Sequence, residues 1–249
     1  MKWKFVAFAM FGWVAISFPA IVCAGDANSD DDWEISVAPY LWALSLDGTS
    51  TVGTLPPLDI DASFSDIVDN LDLALSLHTE FHRGKWAFVI DPIYLSLSVD
   101  AEPLSGVKPR IEVDIWFVEG WASYKVTSNW EAIGGVRWQD QDMSVSRLPS
   151  PPLPVTEAGA GGDWLDWFAG VRFNYALNER WSVSGRADVA FAGDSDSSYN
   201  LIFFLNRRFG KNMALRLGYR YFEDDYDNSP KYEWDIVQEG PLIGYSWSF

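Results

Sequence analysis

The chain has only two histidines, His78 and His82, and they flank Glu80 in a segment with a two-residue period. Imidazole and carboxylate groups are common metal ligands and proton carriers, so this trio suggests a metal site or an acid–base pair. On a strand, however, residues four apart are separated by ~13 Å, which is too far for one zinc ion without a third element between them. We therefore predict a polar interior residue at His78, a turn residue at His82, and neither a metal site nor a cofactor.

Carboxylates form a second group that could do chemistry. They cluster at Asp194 and Asp196 and again at Glu223, Asp224, Asp225 and Asp227. Their oxygens suit calcium or magnesium, and such ions can bridge to lipopolysaccharide phosphates, but the spacing matches no calcium-loop motif. We interpret these residues as solvated, mutually repelling loop charge.

The N-terminus predicts export. Lys2 and Lys4 precede a nearly continuous apolar run, and Val22-Cys23-Ala24 offers small residues for cleavage, so we expect a signal peptide at 1–24 and a single domain at 25–249. No later run approaches the ~20 apolar residues of a spanning helix. Loss of Lys2 and Lys4 takes the net charge from −17 to −19, which argues against nucleic acid as a partner.

The elements that position these residues are strands. Apolar and polar residues alternate in ten segments, a pattern that predicts an all-β fold, a single antiparallel transmembrane β-barrel of ten strands, with 8 or 12 as alternatives. The segments are 33–46, 71–82, 86–99, 110–125, 129–143, 164–175, 180–192, 198–208, 212–223 and 232–249.

Aromatic residues and connection lengths favour a membrane barrel over a soluble sandwich. Trp86 and Trp130 open strands beside short connections, and Tyr94 and Trp138 follow eight residues later on the same faces. Eight tilted residues rise roughly 20 Å, close to the ~25 Å apolar band between two aromatic girdles. Short connections alternate with long ones at 47–70, 100–109, 144–163 and 224–231, which places both termini in the periplasm.

The C-terminal strand resembles the signal by which the outer-membrane barrel assembly machinery recognises its clients. Tyr245, Trp247 and Phe249 alternate with small residues and end the chain on an aromatic ring. We therefore expect this machinery, outer-membrane lipids and lipopolysaccharide as partners.

The chain also resembles a largely uncharacterised family of proteobacterial outer-membrane β-barrel proteins. The matching elements are Pro39-Tyr40-Leu41-Trp42, Ser63-Phe64-Ser65-Asp66, Asn70-Leu71-Asp72, Gly170-Val171-Arg172, the stretch 181–188, Leu217-Gly218-Tyr219-Arg220-Tyr221 and Gly240-Pro241-Leu242-Ile243-Gly244. Where similar sequences have a glycine-rich stretch and a Trp-Asn pair, this chain has Phe191-Ala192-Gly193-Asp194 and Tyr199-Asn200. The resemblance implies the barrel and an outer-membrane location, and it brings no activity or catalytic residue.

The alternation also turns charged residues inward at membrane depth. They are Glu80, Asp91, Glu119, Arg137, Arg172, Arg186, Asp188, Arg216 and Arg220. An unpaired charge in so narrow a space is costly, so we expect arginines and carboxylates to interlock and block the lumen. The alternative is an anion-selective ladder, which the excess of five bases over four acids keeps open.

The sequence therefore predicts a non-enzymatic outer-membrane barrel, structural or passing small solutes through a largely plugged lumen. The alternative is an outer-membrane surface enzyme, a protease or lipid A-modifying enzyme, or a receptor at the acidic external rim. The enzyme is disfavoured because no Gly-x-Ser-x-Gly elbow occurs and both histidines are expected near the periplasmic end.

Overall fold

The computed structural model describes residues 32–52, 57–100, 110–146, 158–228 and 232–249. The strands are β1 (Glu34–Trp42), β2 (Ser45–Val52), β3 (Leu58–Ala62), β4 (Leu71–Arg83), β5 (Trp86–Asp100), β6 (Arg110–Lys125), β7 (Trp130–Ser146), β8 (Ala158–Ala176), β9 (Trp181–Gly193), β10 (Ser197–Phe209), β11 (Met213–Asn228) and β12 (Tyr232–Ser248), and the helix α1 is Phe64–Asp69. In these ranges, no helix has the length and apolarity needed to cross a membrane. The expected signal peptide lies outside the described residues.

The strands form one closed antiparallel barrel. From β4 to β12 each strand pairs with the next, and β1 closes the ring by pairing with β4 on one side and β12 on the other. β2 continues the path of β1 along β12, so these two strands share one position, while β3 pairs with β2 as a hairpin. The barrel thus has ten strand positions in its wall, which confirms the number predicted from the sequence.

A glycine on β12 permits the bend between β1 and β2. The backbone N–H of Ala43 donates to the carbonyl of Pro241 at 2.8 Å. Gly240 has a φ of +153°, and a Cβ there would lie 2.0 Å from the carbonyl oxygen of Ala43. Only a residue without a side chain lets the two backbones approach this closely.

Large apolar side chains cover the outside of the barrel. Leu73, Leu75 and Leu77 of β4 are 45%, 56% and 40% exposed, on the face that the two-residue period predicted. Similar side chains follow on other strands, among them Phe88, Ile90, Val171, Val189, Leu201, Phe203, Leu217 and Ile243. A closed barrel satisfies its backbone hydrogen bonds internally and presents this surface to lipid, which is the architecture of an outer-membrane β-barrel.

Aromatic side chains mark the end of the barrel that holds the short connections 84–85, 126–129, 177–180 and 210–212, which we call the turn end. The rings of Trp86 and Tyr124 lie 4.8 Å apart there, and the indole N–H of Trp130 donates to the hydroxyl of Tyr175 at 2.7 Å. Such amphipathic rings suit a boundary between lipid and water. The opposite end is called the loop end.

The interior at the loop end is filled by an apolar cluster. The rings of Trp164 and Tyr226 stack at 4.5 Å, and Ile67 of α1 packs into the same group with 6% of its surface exposed. This loop-end cluster comprises Leu44, Leu46, Ile67, Leu95, Leu97, Ile115, Trp164, Tyr226, Tyr232, Trp234 and Ile236. It packs β2 and α1 against the loop-end halves of β5, β6, β8, β11 and β12.

A capping box begins α1. The backbone N–H of Asp66 donates to the Ser63 hydroxyl at 3.4 Å, and the backbone N–H of Ser63 donates to the Asp66 carboxylate at 3.0 Å. These reciprocal bonds satisfy donors that a helix start leaves free. The hydrogen bonds from Ser63 lower the pKa of Asp66 below its ordinary value of 3.8. The cap thus holds Ile67 in position to pack inward.

Three of the expected loops are shorter than the sequence indicated. The segment 47–70 contains the end of β2, all of β3 and α1; β7 and β8 extend into 144–163; and β11 runs to Asn228. The glycine-rich start of β8 carries few side chains and so shows no alternation, although Asp142 pairs with Gly161 and Ser144 with Gly159. Residues 147–157 of that expected loop lie outside the described residues.

Candidate functional site in the barrel interior

Arg137 of β7 lies at the middle of the interior. Its Nε and Nη2 donate to Glu119 Oε1 at 2.9 and 2.7 Å, and Nη2 also donates to Asp188 Oδ1 at 2.7 Å. Its Nη1 donates to the Ser198 hydroxyl at 2.8 Å. Neither the Arg137 nor the Glu119 side chain has exposed surface. Charge-assisted hydrogen bonds therefore compensate for the desolvation of this guanidinium.

Glu119 also binds two further arginines. Arg186 donates through Nη1 to Oε2 at 2.9 Å and through Nη2 to Oε1 at 3.0 Å, and its Nε lies 2.7 Å from Asp188 Oδ2. Arg220 Nη2 lies 3.6 Å from Glu119 Oε2, while its Nε donates to Asn200 Oδ1 at 2.9 Å. One carboxylate thus stands among three guanidinium groups.

Aromatic rings fill the space between these guanidinium groups. Arg137 Cζ lies 4.9 Å from the ring centroid of Phe168 and 4.7 Å from that of Phe222, and Arg220 Cζ lies 4.7 Å from that of Phe117. Cation–π contacts of this kind strengthen when water is excluded. Together these residues form the mid-barrel layer, which consists of Phe117, Glu119, Arg137, Phe168, Arg186, Asp188, Arg220 and Phe222.

Toward the turn end, Arg172 of β8 joins two more carboxylates. Its Nη2 donates to Glu80 Oε1 at 2.6 Å and to Glu131 Oε2 at 2.5 Å, and its Nε donates to Glu131 Oε2 at 2.9 Å. His82 Nε2 lies 2.7 Å from Glu80 Oε1. Glu131 was not among the expected lumen charges, so the sequence count of four interior acids is too low.

Asp91 contacts a tyrosine and a histidine rather than an arginine. The Tyr40 hydroxyl donates to Asp91 Oδ1 at 2.8 Å, and His78 Nδ1 lies 2.8 Å from Oδ2. The other ring nitrogen of His78 lies 3.5 Å from Glu80 Oε2. His78 thus bridges two carboxylates on the interior face, and within the described ranges no three His, Cys, Asp or Glu side chains are arranged to hold a metal ion.

Arg216 stands apart from the ion pairs. Its Cζ lies 4.3 Å from the ring centroid of Phe204, and that ring covers Gly218, where an added Cβ would approach it to 2.4 Å. Within the described part of the chain, no carboxylate lies at ion-pair distance from Arg216. Of the nine charged residues named from the sequence, seven are joined in ion pairs with one another, while Asp91 and Arg216 are not.

The acidic segment of β11 is not entirely solvated. Asp224 has no exposed surface and accepts hydrogen bonds from Gln139 Nε2 at 2.6 Å and from the Trp164 indole at 2.9 Å. The interpretation of Glu223 to Asp227 as solvated loop charge is therefore wrong for Asp224. The physical reason is that β11 continues to Asn228, so the two-residue period turns Asp224 inward together with Phe222 and Tyr226.

Comparisons with known proteins identify no family. No family model matches the chain, and no curated protein does. Among solved structures, it is similar to the translocator domain of the autotransporter NalP from Neisseria meningitidis, with 11% identity, 90% of each chain covered and a TM-score of 0.46. It is also similar to the attachment invasion locus protein Ail of Yersinia pestis, with 8% identity, 88% of this chain and 99% of that one covered, and a TM-score of 0.41.

A third solved structure is the β domain of the Bordetella autotransporter BrkA, with 14% identity, 88% of this chain and 100% of that one covered, and a TM-score of 0.40. These identities and TM-scores are low, and it is the strand pairing of the chain itself that defines the barrel.

Proposed function

We propose that the protein is an integral outer-membrane barrel with a closed interior, structural in role or passing only small solutes. The observation that carries this proposal is the mid-barrel layer, in which Arg137, Glu119 and Phe222 have no exposed surface. The loop-end cluster adds a second, apolar barrier. Barrels of this size have interiors that side chains can fill, whereas open channels belong to barrels of about 16 strands.

The outer surface supports the location. Its apolar side chains suit the hydrocarbon of the outer membrane, with lipopolysaccharide and lipids as neighbours, and its short connections suit the periplasmic side. The backbone N–H of Phe249 donates to the carbonyl of Ile35 at 2.8 Å, so both strand ends lie at the turn end. We propose that both termini are periplasmic and that Phe249, 76% exposed, contributes with Tyr245 and Trp247 to recognition by the assembly machinery.

The interior also favours a non-enzymatic role. An enzyme acting on surface substrates needs its proton carriers at the loop end. The only two histidines, His78 and His82, lie instead on the turn-end half of β4. Asp91, which also accepts a hydrogen bond from Tyr40, contacts a ring nitrogen of His78, and Glu80 contacts a ring nitrogen of His82. The loop-end acid Asp224 is likewise held by Gln139 and Trp164.

The test is conductance after reconstitution in planar bilayers. The wild type is expected to show little or no steady current, because the side chains of the mid-barrel layer are packed together with almost no exposed surface. Arg186→Ala removes two hydrogen bonds to Glu119 and is expected to give leakage or loss of stability. The exposed Arg207, whose Cζ lies 5.4 Å from the ring centroid of Trp181, supplies the control Arg207→Ala.

Large, steady, anion-selective currents from the wild type would contradict a closed interior. Hydrolysis of a peptide or of lipid A by the purified protein would contradict the non-enzymatic role. Absence of the full-length protein from outer-membrane fractions would contradict the location.

A further inference from the structure

A cavity of about 70 Å³ lies between the mid-barrel layer and the turn end. Arg172, Arg186, Arg216 and Arg220 line it, together with one carboxylate, that of Asp91. A single water needs only ~10–15 Å³, whereas a cavity of roughly 150 Å³ holds benzene. The space therefore suits a solute larger than water and smaller than an aromatic ring.

Two of these arginines are already paired. Arg172 binds Glu80 and Glu131, and Arg186 binds Glu119 through two nitrogen atoms. Their charges are compensated outside the cavity.

The other two arginines are under-compensated. Arg220 is 2% exposed, and its Nη2 has no hydrogen-bond partner among the described residues; its nearest carboxylate, Glu119, lies 3.6 Å away and is shared with Arg137 and Arg186. The Arg216 guanidinium packs against the ring of Phe204 and makes no ion pair within the same ranges. Arg220 is buried and Arg216 is half-buried, and a guanidinium that is incompletely paired at such a position favours an anion nearby.

The carboxylate of Asp91 lines the cavity but makes no ion pair with Arg216 or Arg220. Both oxygens of Asp91 are engaged, one by the Tyr40 hydroxyl and the other by His78 Nδ1. Charge compensation is therefore uneven along the interior. The two arginines that lack a close carboxylate lie on β11, three strands away from Arg172 on β8.

We infer that this cavity is a binding site for a small monoanionic carboxylate, entering from the turn end and held by Arg216 and Arg220. A planar guanidinium matches the two oxygens of a carboxylate. Ile202, Phe204 and Leu242 line the same cavity and suit a short alkyl group. A dianion such as phosphate would bring a second negative charge close to Asp91, the carboxylate that already lines the cavity. The site goes beyond the proposed function, since a closed barrel requires no ligand.

The experiment is an acetate titration of the full-length protein folded in a zwitterionic detergent, at constant ionic strength with gluconate, which is too large for the cavity, as the balancing anion. The expected result is a saturable rise in the midpoint of thermal unfolding, because a ligand that binds only the folded state stabilises it. Saturation-transfer NMR should show magnetisation passing from the protein to the acetate methyl group.

Arg216→Gln should abolish both responses, and Arg207→Gln, at an exposed arginine outside the cavity, should leave them unchanged. If Arg216→Gln fails to fold, Ile202→Phe fills the cavity while retaining both arginines and should also abolish the responses. No saturable response in the wild type, or a response that persists in these cavity variants, would overturn the site. An equal response to chloride, or a response to inorganic phosphate alone, would overturn its assignment to a carboxylate.

Discussion

Arg137 and Glu119 are direct cross-strand neighbours on β7 and β6, and two nitrogen atoms of the arginine donate to one oxygen of the glutamate. The pair is local in the sheet, yet it organises the interior, because Arg186 and Arg220 approach the same carboxylate from β9 and β11. A single side chain therefore couples four strands of the wall.

Glu119→Gln should destabilise the barrel strongly. It removes the charge that compensates three buried guanidinium groups, and breaking one partner of a buried ion pair costs roughly 3–5 kcal/mol. The effect is measured as the change in the free energy of unfolding in urea. The folded and unfolded fractions are read from their separate bands in detergent gels. The matched control is Glu179→Gln, at an exposed position in the 177–180 turn, which should change it little. Equal stability of the two variants would show that the three arginines do not depend on Glu119.

Ile67→Asp should detach α1 from the barrel without unfolding the wall. Ile67 is 6% exposed within the loop-end cluster, and the lost apolar burial alone costs about 1.5–3 kcal/mol. Val68→Asp is the control, since the side chain of Val68, the next residue of the helix, is 41% exposed. Faster protease cleavage in the 57–70 region of folded Ile67→Asp, compared with Val68→Asp, is the expected result; equal cleavage would contradict the packing of α1.

The capping box should make α1 sensitive to acid. The pKa of Asp66 is lowered by its hydrogen bonds from Ser63, so its stabilising contribution is complete above the ordinary pKa of 3.8 and is lost as the pH falls below that value toward the lowered one. Hydrogen exchange of 64–70, corrected for the intrinsic rate, should therefore accelerate in acid. Asp66→Asn should remove this pH dependence, while Asp69→Asn in the same helix should retain it. A wild-type profile that is flat over this range would contradict the prediction.

Phe249→Asp should reduce assembly more than Phe209→Asp. Both aromatic side chains are exposed at the turn end, but only Phe249 ends the closing strand and exchanges backbone hydrogen bonds with Ile35. Both variants place a carboxylate at the same depth, so the comparison separates strand closure from the loss of an interfacial ring. The amount of heat-modifiable protein in outer-membrane fractions is the measurement, and equal amounts would assign Phe249 no special role.

The wall of the barrel could be predicted from the sequence because the alternation of inward and outward side chains is set within each strand. On β4, Leu73, Leu75 and Leu77 show the alternation directly, and the same parity placed Arg137 and Glu119 on the interior face. Glu131 has the same parity as Arg137 and could have been found in this way. It lies inside the predicted strand 129–143 but was not named among the inward charges.

The contacts across the lumen could not be predicted, because they depend on strand tilt and on which strands face one another. Asp91 meets Tyr40 and His78, and Arg216 meets Phe204, although parity alone allowed ion pairs for both charged residues. The hairpin of β2 and β3 was missed for another reason: the stretch Gly48-Thr49-Ser50-Thr51 carries no apolar alternation.

The contact between the start of β1 and the end of β12 has a consequence for connectivity. The backbone groups of Ile35 and Phe249 exchange hydrogen bonds at 2.8 and 3.2 Å, so β1 and β12 already sit side by side as any other neighbours do. The ring of strands consequently has no structural beginning. A short linker from Phe249 to Glu34, with new ends cut at the 210–212 turn where Gly210 has a φ of +67°, yields a circular permutant. Every strand keeps the same neighbours in this permutant. If the permutant folds stably in detergent but fails to assemble in the outer membrane, the order of the strands along the chain matters for assembly in the cell and not for the stability of the barrel.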